Sequence, residues 1–210
     1  PDIIRASLTP KHYSYLKIAE GCDNACSFCS IPLMRGLQKS QPLRWNVEEA
    51  KRLASRGVKE LLVIAQDSTS YGWDASPKTT LHELFSELDK IDGIEWLRLH
   101  YAHPSNLHRN MIDHFKKLEK LIPYIDMPIQ HGSDKVLKIM RRGLKSDGIK
   151  KKIEALRNAN SNIAIRTSII VGHPGETDKE FNEMLDFISD VEFDRLGVFQ
   201  YSHEENTLAA

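Results

Sequence analysis

The segment Tyr13-Ser14-Tyr15-Leu16-Lys17-Ile18 runs straight into Ala19-Glu20-Gly21-Cys22-Asp23-Asn24-Ala25-Cys26-Ser27-Phe28-Cys29. Its first half alternates polar and apolar residues and reads as a β-strand. The loop behind it carries all 3 cysteines of the chain, spaced C-x3-C-x2-C. An odd count excludes a pure disulfide framework. Thiols this close together form a ligand pattern and imply a reducing compartment. A structural zinc site takes four protein ligands. No fourth Cys or nearby His completes one, and His12 lies on the wrong side of the strand. A cubane iron–sulfur cluster accepts thiolates readily, and three of them leave one iron open to a small molecule. Zinc completed by a distant His, or three buried structural thiols, stand as the alternatives.

Downstream, strand and helix patterns alternate. Strands are predicted over 61–65, 96–101, 124–127, 164–171 and 196–200. Leu61-Leu62-Val63-Ile64-Ala65 reads as a buried strand. Helices are predicted over 47–56, with Asn46 as cap and Glu49 at its third position, around Leu81, Leu84, Phe85 and Leu88, over 107–118, and from Asp134 and Ser146. A last helix has Phe181, Met184, Leu185 and Ile188 as its apolar face, opened by the capping box Thr177-x-x-Glu180. With the first, that makes six strands joined by helical crossovers, the mark of a parallel sheet. An open doubly wound sheet and an incomplete barrel both satisfy the pattern. No repeat or low-complexity segment interrupts it, and 67–78 is the clearest loop.

The 210 residues are 40% hydrophobic, with 29 basic and 29 acidic side chains. Length points to a single domain, and composition excludes disorder. Zero net charge argues against a dedicated DNA-binding domain. No apolar run approaches the roughly 20 residues of a membrane span, and no signal peptide is apparent. The balance conceals an asymmetry: residues 134–157 hold nine basic and three acidic side chains, and 172–205 hold ten acidic against Lys179 and Arg195. Two solvated helix faces explain this, as does a groove in which Lys150, Lys151 and Lys152 help capture a charged substrate. The chain opens on Pro1-Asp2 and stops at Ala209-Ala210, which suggests a piece of a longer protein.

The cysteine loop, with Phe28 as the aromatic of C-x3-C-x-aromatic-C, resembles the radical S-adenosylmethionine (SAM) superfamily. Ile170-Val171-Gly172-His173-Pro174-Gly175-Glu176-Thr177 is similar to that superfamily's fifth-strand SAM motif, where glycine lets backbone approach a ligand. The likeness narrows to the methylthiotransferases through Ala65-Gln66-Asp67, Ser70-Tyr71-Gly72, His103-Pro104-Ser105, Arg166 and Phe199-x-Tyr201-Ser202. Pro123-Tyr124-Ile125-Asp126-Met127-Pro128-Ile129-Gln130-His131-Gly132-Ser133 resembles the branch that modifies a small-subunit ribosomal protein; a transfer-RNA branch and a non-enzymatic iron–sulfur module remain as other readings. His173 stands where the family usually has Phe, and Asn206 where it has Gly.

The resemblance implies an α/β fold, an incomplete (β/α)6 TIM-like barrel, with the catalytic domain filling 1–210. Cys22, Cys26 and Cys29 would hold a [4Fe–4S] cluster as the metal ligands. Phe28, Gln66, Asp67, Ser133, Arg166, Gly172, Gly175 and Glu176 would bind SAM, and His131 and His103 would contact substrate. It implies reductive SAM cleavage to a 5′-deoxyadenosyl radical that attacks the β-carbon of an aspartate. The partners implied are the ribosomal protein and a one-electron reductant such as flavodoxin or ferredoxin, in the cytoplasm, with nucleic-acid contact left open. A second [4Fe–4S] cluster in an N-terminal domain and a C-terminal TRAM-type domain would belong to the full-length protein. On that expectation this chain cleaves SAM without completing methylthiolation.

Overall fold

A computed structural model describes residues 10–210. In chain order the elements are β1 (Tyr13–Lys17), β2 (Ala19–Glu20), α1 (Ile31–Arg35), β3 (Lys39–Ser40), α2 (Leu43–Ser55), β4 (Glu60–Ile64), α3 (Leu81–Asp89) and β5 (Trp96–Leu99). There follow α4 (Arg109–Lys117), β6 (Leu121–Asp126), α5 (Asp134–Ile139), α6 (Ser146–Ala159), β7 (Ala164–Val171), α7 (Asp178–Val191) and β8 (Arg195–Gln200). The six expected strands form one sheet in the order β1-β4-β5-β6-β7-β8. Every neighbour in it is parallel. The order never reverses, which separates this sheet from the doubly wound alternative. β1 and β8 are not paired with each other, so the barrel stays open, as expected.

A parallel strand covered on both faces is apolar throughout. These strands instead alternate. Leu61, Val63, Leu97, Leu99, Ile125 and Ile165 are buried beneath the helices. Leu62, Arg98, Tyr124 and Arg166 face the other way and are half-buried. The strand over 61–65 is thus buried on one face only, because its second face lines the open lumen. Arg98 Nε donates to Glu60 Oε1 at 2.6 Å, and its guanidinium lies 5.0 Å from the Tyr124 ring centroid. Arg166 Nη1 donates to Asp126 Oδ1 at 2.5 Å.

Helix boundaries depart from the sequence reading in instructive ways. α2 begins at Leu43 behind Pro42, and Asn46 is not its cap. Asn46 is fully buried inside the helix and donates from Nδ2 to Tyr71 Oη at 3.0 Å. A tertiary hydrogen bond has claimed a residue whose local preference is to cap. In α7 the buried face is Met184, Phe187 and Val191, while Phe181 and Leu185 are exposed. The capping box there is present: Glu180 Oε2 accepts from the Thr177 backbone N–H at 3.0 Å and from its hydroxyl at 2.5 Å. A second box opens α3, where Thr80 Oγ1 accepts from the Glu83 N–H at 3.4 Å and Glu83 Oε2 from the Thr80 N–H at 2.8 Å. Thr80→Ala is expected to lower stability by about 1 kcal/mol, read as a fall in urea midpoint at unchanged slope.

The charge asymmetry resolves into helix–helix pairing. Lys150 of the basic segment pairs with Asp190 of the acidic one, and Lys135 with Glu180 at 3.0 Å. Lys151 pairs with Asp147 within its own helix, and Lys152 donates to the Leu107 carbonyl. The lysine trio is thus engaged by neighbouring side-chain and backbone oxygens. No helix among the described residues is long and apolar enough to cross a membrane.

Candidate active site

The cysteine loop follows β2, which pairs antiparallel with β3 in a two-stranded sheet that sequence patterning missed. Gly21 makes the turn possible: its φ is +78°, and a Cβ there would meet Leu37 O at 2.3 Å. Polar stitches then fix the loop from several sides. Asp23 Oδ1 accepts from the Gln38 N–H at 3.0 Å and Oδ2 from Trp73 Nε1 at 2.9 Å. Asn24 donates to Asp67 Oδ2 at 2.7 Å and lies 3.5 Å from Cys22 Sγ. The Ser27 N–H reaches Met140 O at 3.1 Å. Cys22 is buried, Cys26 and Cys29 are partly exposed, and all are free thiols. Burial pushes the Cys22 and Cys29 thiols up.

Among the described residues, no three His, Cys, Asp or Glu side chains converge on one point as ligands of a single ion. A cubane asks for something else, one thiolate per iron. Three thiols on one fixed loop, with Phe28 lining a cavity beside it, fit that demand.

That cavity, about 780 Å³, sits at the C-terminal ends of the lumen strands. Chemistry in parallel barrels occupies this end. Phe28, Gln66, His103 and Arg166 line it, as do His100 and Tyr101. Two of its lining residues, Tyr101 and Gln130, hold φ of +57° and +76°. Non-glycine residues seldom adopt such angles, and they cluster at functional sites. Gln66 Oε1, His100 Nε2 and His103 Nε2 are buried there without a hydrogen-bond partner. Buried polar atoms are almost always satisfied, so three orphans on one wall mark a place for a polar ligand.

The other sequence candidates do not line this cavity. Asp67 is 2% exposed and absent from the cavity lining. Its carboxylate accepts five hydrogen bonds, from the Thr69 N–H and hydroxyl, Ser70 Oγ, Asn24 Nδ2 and Asn106 Nδ2. Burial opposes its charge, yet these donors hold the carboxyl below the usual range. His131 is fully buried, with Nδ1 accepting from the Ser133 N–H at 2.9 Å and Nε2 facing Glu176 Oε2 at 3.5 Å. Burial pushes its pKa down, against the pull of Glu176. Ser133 Oγ donates to Glu183 at 2.5 Å. Glu176 Oε2 accepts from the N–H groups of Gly172 at 3.0 Å and His173 at 3.3 Å. Gly172 has φ of +75°, a left-handed angle that glycine adopts freely, and no protein atom lies within 4 Å of where a Cβ would stand. Gly175 has φ of +91°. Asp67, His131, Ser133, Gly172, Gly175 and Glu176 thus shape the loops that support the cavity.

His173, singled out as a departure, is 2% exposed and packs edge-on against Phe28 and Tyr201, at centroid distances of 6.3 and 5.4 Å. Its Nδ1 lies 2.9 Å from Pro174 O and donates there, which leaves Nε2 as a buried acceptor without a partner. Sequence reasoning missed Asn24, Asn106, His100, Asp126 and Arg142. Only the lone polar Asp126 in the predicted strand 124–127 gave a local signal.

His103 Nδ1 lies 2.8 Å from Ser105 Oγ, and burial, helped by Arg142, pushes its pKa down to about 4. An unfolded histidine takes its proton near pH 6.5. Between about 6.5 and about 4 the unfolded chain therefore binds more protons, and stability falls as pH drops through that window. His103→Gln should flatten this limb in urea unfolding at graded pH.

The fold and this site define a radical SAM domain, and the Radical SAM superfamily profile matches residues 16–188. The chain belongs to that superfamily. It is 50% identical over 98% of its length to the ribosomal protein uS12 methylthiotransferase RimO of Christiangramia forsetii, and 51% identical over 98% to that of Flavobacterium johnsoniae. It covers 46% and 47% of those proteins, a little under half of each. Among solved structures, the radical SAM methyltransferase TsrM of Kitasatospora setae, with cobalamin and a [4Fe–4S] cluster bound, superposes with a TM-score of 0.76 at 16% identity, over 94% of this chain and 38% of that one. Coproporphyrinogen III oxidase HemN of Escherichia coli does so with 0.66 at 19%, over 94% and 46%. At these identities the likeness speaks to fold.

Proposed function

We propose that this chain is the central SAM-cleaving domain of a methylthiotransferase that modifies an aspartate of a small-subunit ribosomal protein. The observation that carries the reading is identity of 50% and 51% to curated uS12 methylthiotransferases across essentially the whole barrel. Cys22, Cys26 and Cys29 hold a [4Fe–4S] cluster, which supplies one-electron reduction of SAM and so a 5′-deoxyadenosyl radical. Phe28 offers its face to the adenine. Arg166 has donors beyond the one engaged by Asp126, and these take the SAM carboxylate or a substrate carboxylate. Gln66 supplies an unpartnered acceptor, and His103, neutral at pH 7, a buried ring nitrogen. Asp67, Ser133, Gly172, Gly175 and Glu176 act through the loops they hold. His131 is fully buried and serves the same framework.

The remaining parts of the proposal are a flavodoxin- or ferredoxin-type reductant, a cytoplasmic setting, and a full-length protein carrying a second cluster and a TRAM-type domain. The test is mass spectrometry of the small-subunit ribosomal protein and of bulk transfer RNA from cells with and without the full-length gene. The expected result is a methylthio group on one aspartate that disappears with the gene. An unmodified ribosomal protein beside a gene-dependent methylthiolated nucleoside would contradict the assignment.

A further inference from the structure

Arg142 is 6% exposed, yet no carboxylate pairs with it among the described residues. Its two hydrogen bonds run from Nη1 to Cys26 Sγ at 3.2 Å and from Nη2 to Pro128 O at 2.7 Å; Nε is buried without a partner. Guanidinium groups stay charged, and buried charges are normally paired. A buried cation whose two acceptors are a neutral carbonyl and a thiol sulfur lacks its counter-charge while that thiol is protonated. It gains one when Cys26 becomes a thiolate ligand.

The surroundings hold the guanidinium at this spot. Residues 141–143 make a tight turn behind α5, with φ of +57° at Arg141 and +75° at Gly143. The Arg142 N–H donates to Leu137 O at 3.0 Å, and the Ser27 N–H donates to Met140 O at 3.1 Å. Backbone bonds therefore tie the segment bearing Arg142 to the loop bearing Cys26. The side chain lines the cavity as well.

From this geometry we infer that Arg142 is a positioning residue for the cluster: it donates an N–H···S hydrogen bond to the Cys26 ligand and sets the cluster's reduction potential by balancing its negative charge. The inference rests on the cluster reading given above. Reduction adds one electron from an external reductant to the cluster, with no bond made or broken and no proton taken up. The cluster becomes more negative by one charge, and a fixed cation in hydrogen-bond contact stabilises that state over the oxidised one. Hydrogen bonds to the sulfurs and net local charge are among the terms that set such potentials. Arg142 is thus a means by which the protein makes an unfavourable reduction less so.

The test is a dithionite-mediated redox titration of this chain, anaerobically reconstituted, followed by electron paramagnetic resonance of the reduced cluster. Parent, Arg142→Lys and Arg142→Met are compared, with iron content and circular dichroism recorded for each. Loss of the charge in Arg142→Met should lower the one-electron reduction equilibrium constant at least tenfold, a shift of about 59 mV toward negative potential. Arg142→Lys keeps the charge but not the fork that joins Cys26 to Pro128, and should fall between. If Arg142→Met folds but takes up no iron, the intermediate potential of Arg142→Lys still supports the inference, and a parent-like potential overturns it. Parent-like midpoints in both loaded variants would overturn the inference while leaving the cluster intact. A parent chain that takes up no cluster would overturn the cluster reading itself.

Discussion

Asp67→Ala is expected to destabilise the chain by about 3–5 kcal/mol, the range for breaking a buried, fully hydrogen-bonded charged group. The carboxylate ties together three separate segments: the cysteine loop through Asn24, the turn after β4 through Thr69 and Ser70, and the segment after β5 through Asn106. Truncation removes their shared acceptor: the Thr69 N–H loses its acceptor, and Asn24, Asn106 and the Thr69 hydroxyl keep only longer or weaker partners such as Cys22 Sγ, Ser70 Oγ and His103 O. Asp67→Asn does little better, because its amide places two more donors among donors. Urea unfolding of the apo chain measures the loss. Asn24 sits between Cys22 and Cys26, so the variant should also shed cluster iron faster under chelator challenge. A stability within 1 kcal/mol of the parent would show that these contacts are not the framework described here.

Arg166→Met is expected to weaken SAM binding about 10- to 100-fold, measured by calorimetry on the reconstituted chain. A hydrogen bond to a charged group contributes roughly 1.5–3 kcal/mol, and each 1.4 kcal/mol is tenfold in affinity. Arg166 spends Nη1 on Asp126 and lines the cavity with the rest of its fork. The same substitution removes a group that holds Asp126 ionised. Burial pushes that carboxyl up, while His100 and Arg166 bring it below the usual range. Loss of SAM affinity should therefore come with a higher Asp126 pKa, visible as a shifted acid limb in the pH dependence of stability. Unchanged SAM affinity would instead assign Arg166 to the substrate side of the cavity.

The architecture was legible because its signals are local. Six strand patterns separated by helix-length crossovers leave few topologies, and the resemblance carried by the cysteine loop behind β2 implies the barrel. Boundaries were harder where tertiary contacts override local preference. Asn46 looks like a cap and is instead a buried donor to Tyr71. Phe181 and Leu185 look like a core face and are exposed, because α7 is rotated toward Met184 and Phe187. The site divided along a similar line. Position behind a strand's C-terminal end brought most candidates to one end of the barrel; Arg166, early in β7, is the exception. Position could not say whether a side chain points into the cavity, as Gln66, His103 and Arg166 do, or back into the loops, as Asp67, His131 and Ser133 do. Arg142 was invisible because its meaning depends on Cys26, a residue 116 positions away in the chain.

The measurement that bears most directly on the account is anaerobic reconstitution with iron and sulfide, followed by dithionite and SAM. The chain should take up one four-iron cluster and release 5′-deoxyadenosine and methionine together, and Cys26→Ala should abolish both uptake and release. A fully loaded cluster that neither changes its spectrum on addition of SAM nor yields 5′-deoxyadenosine would contradict it.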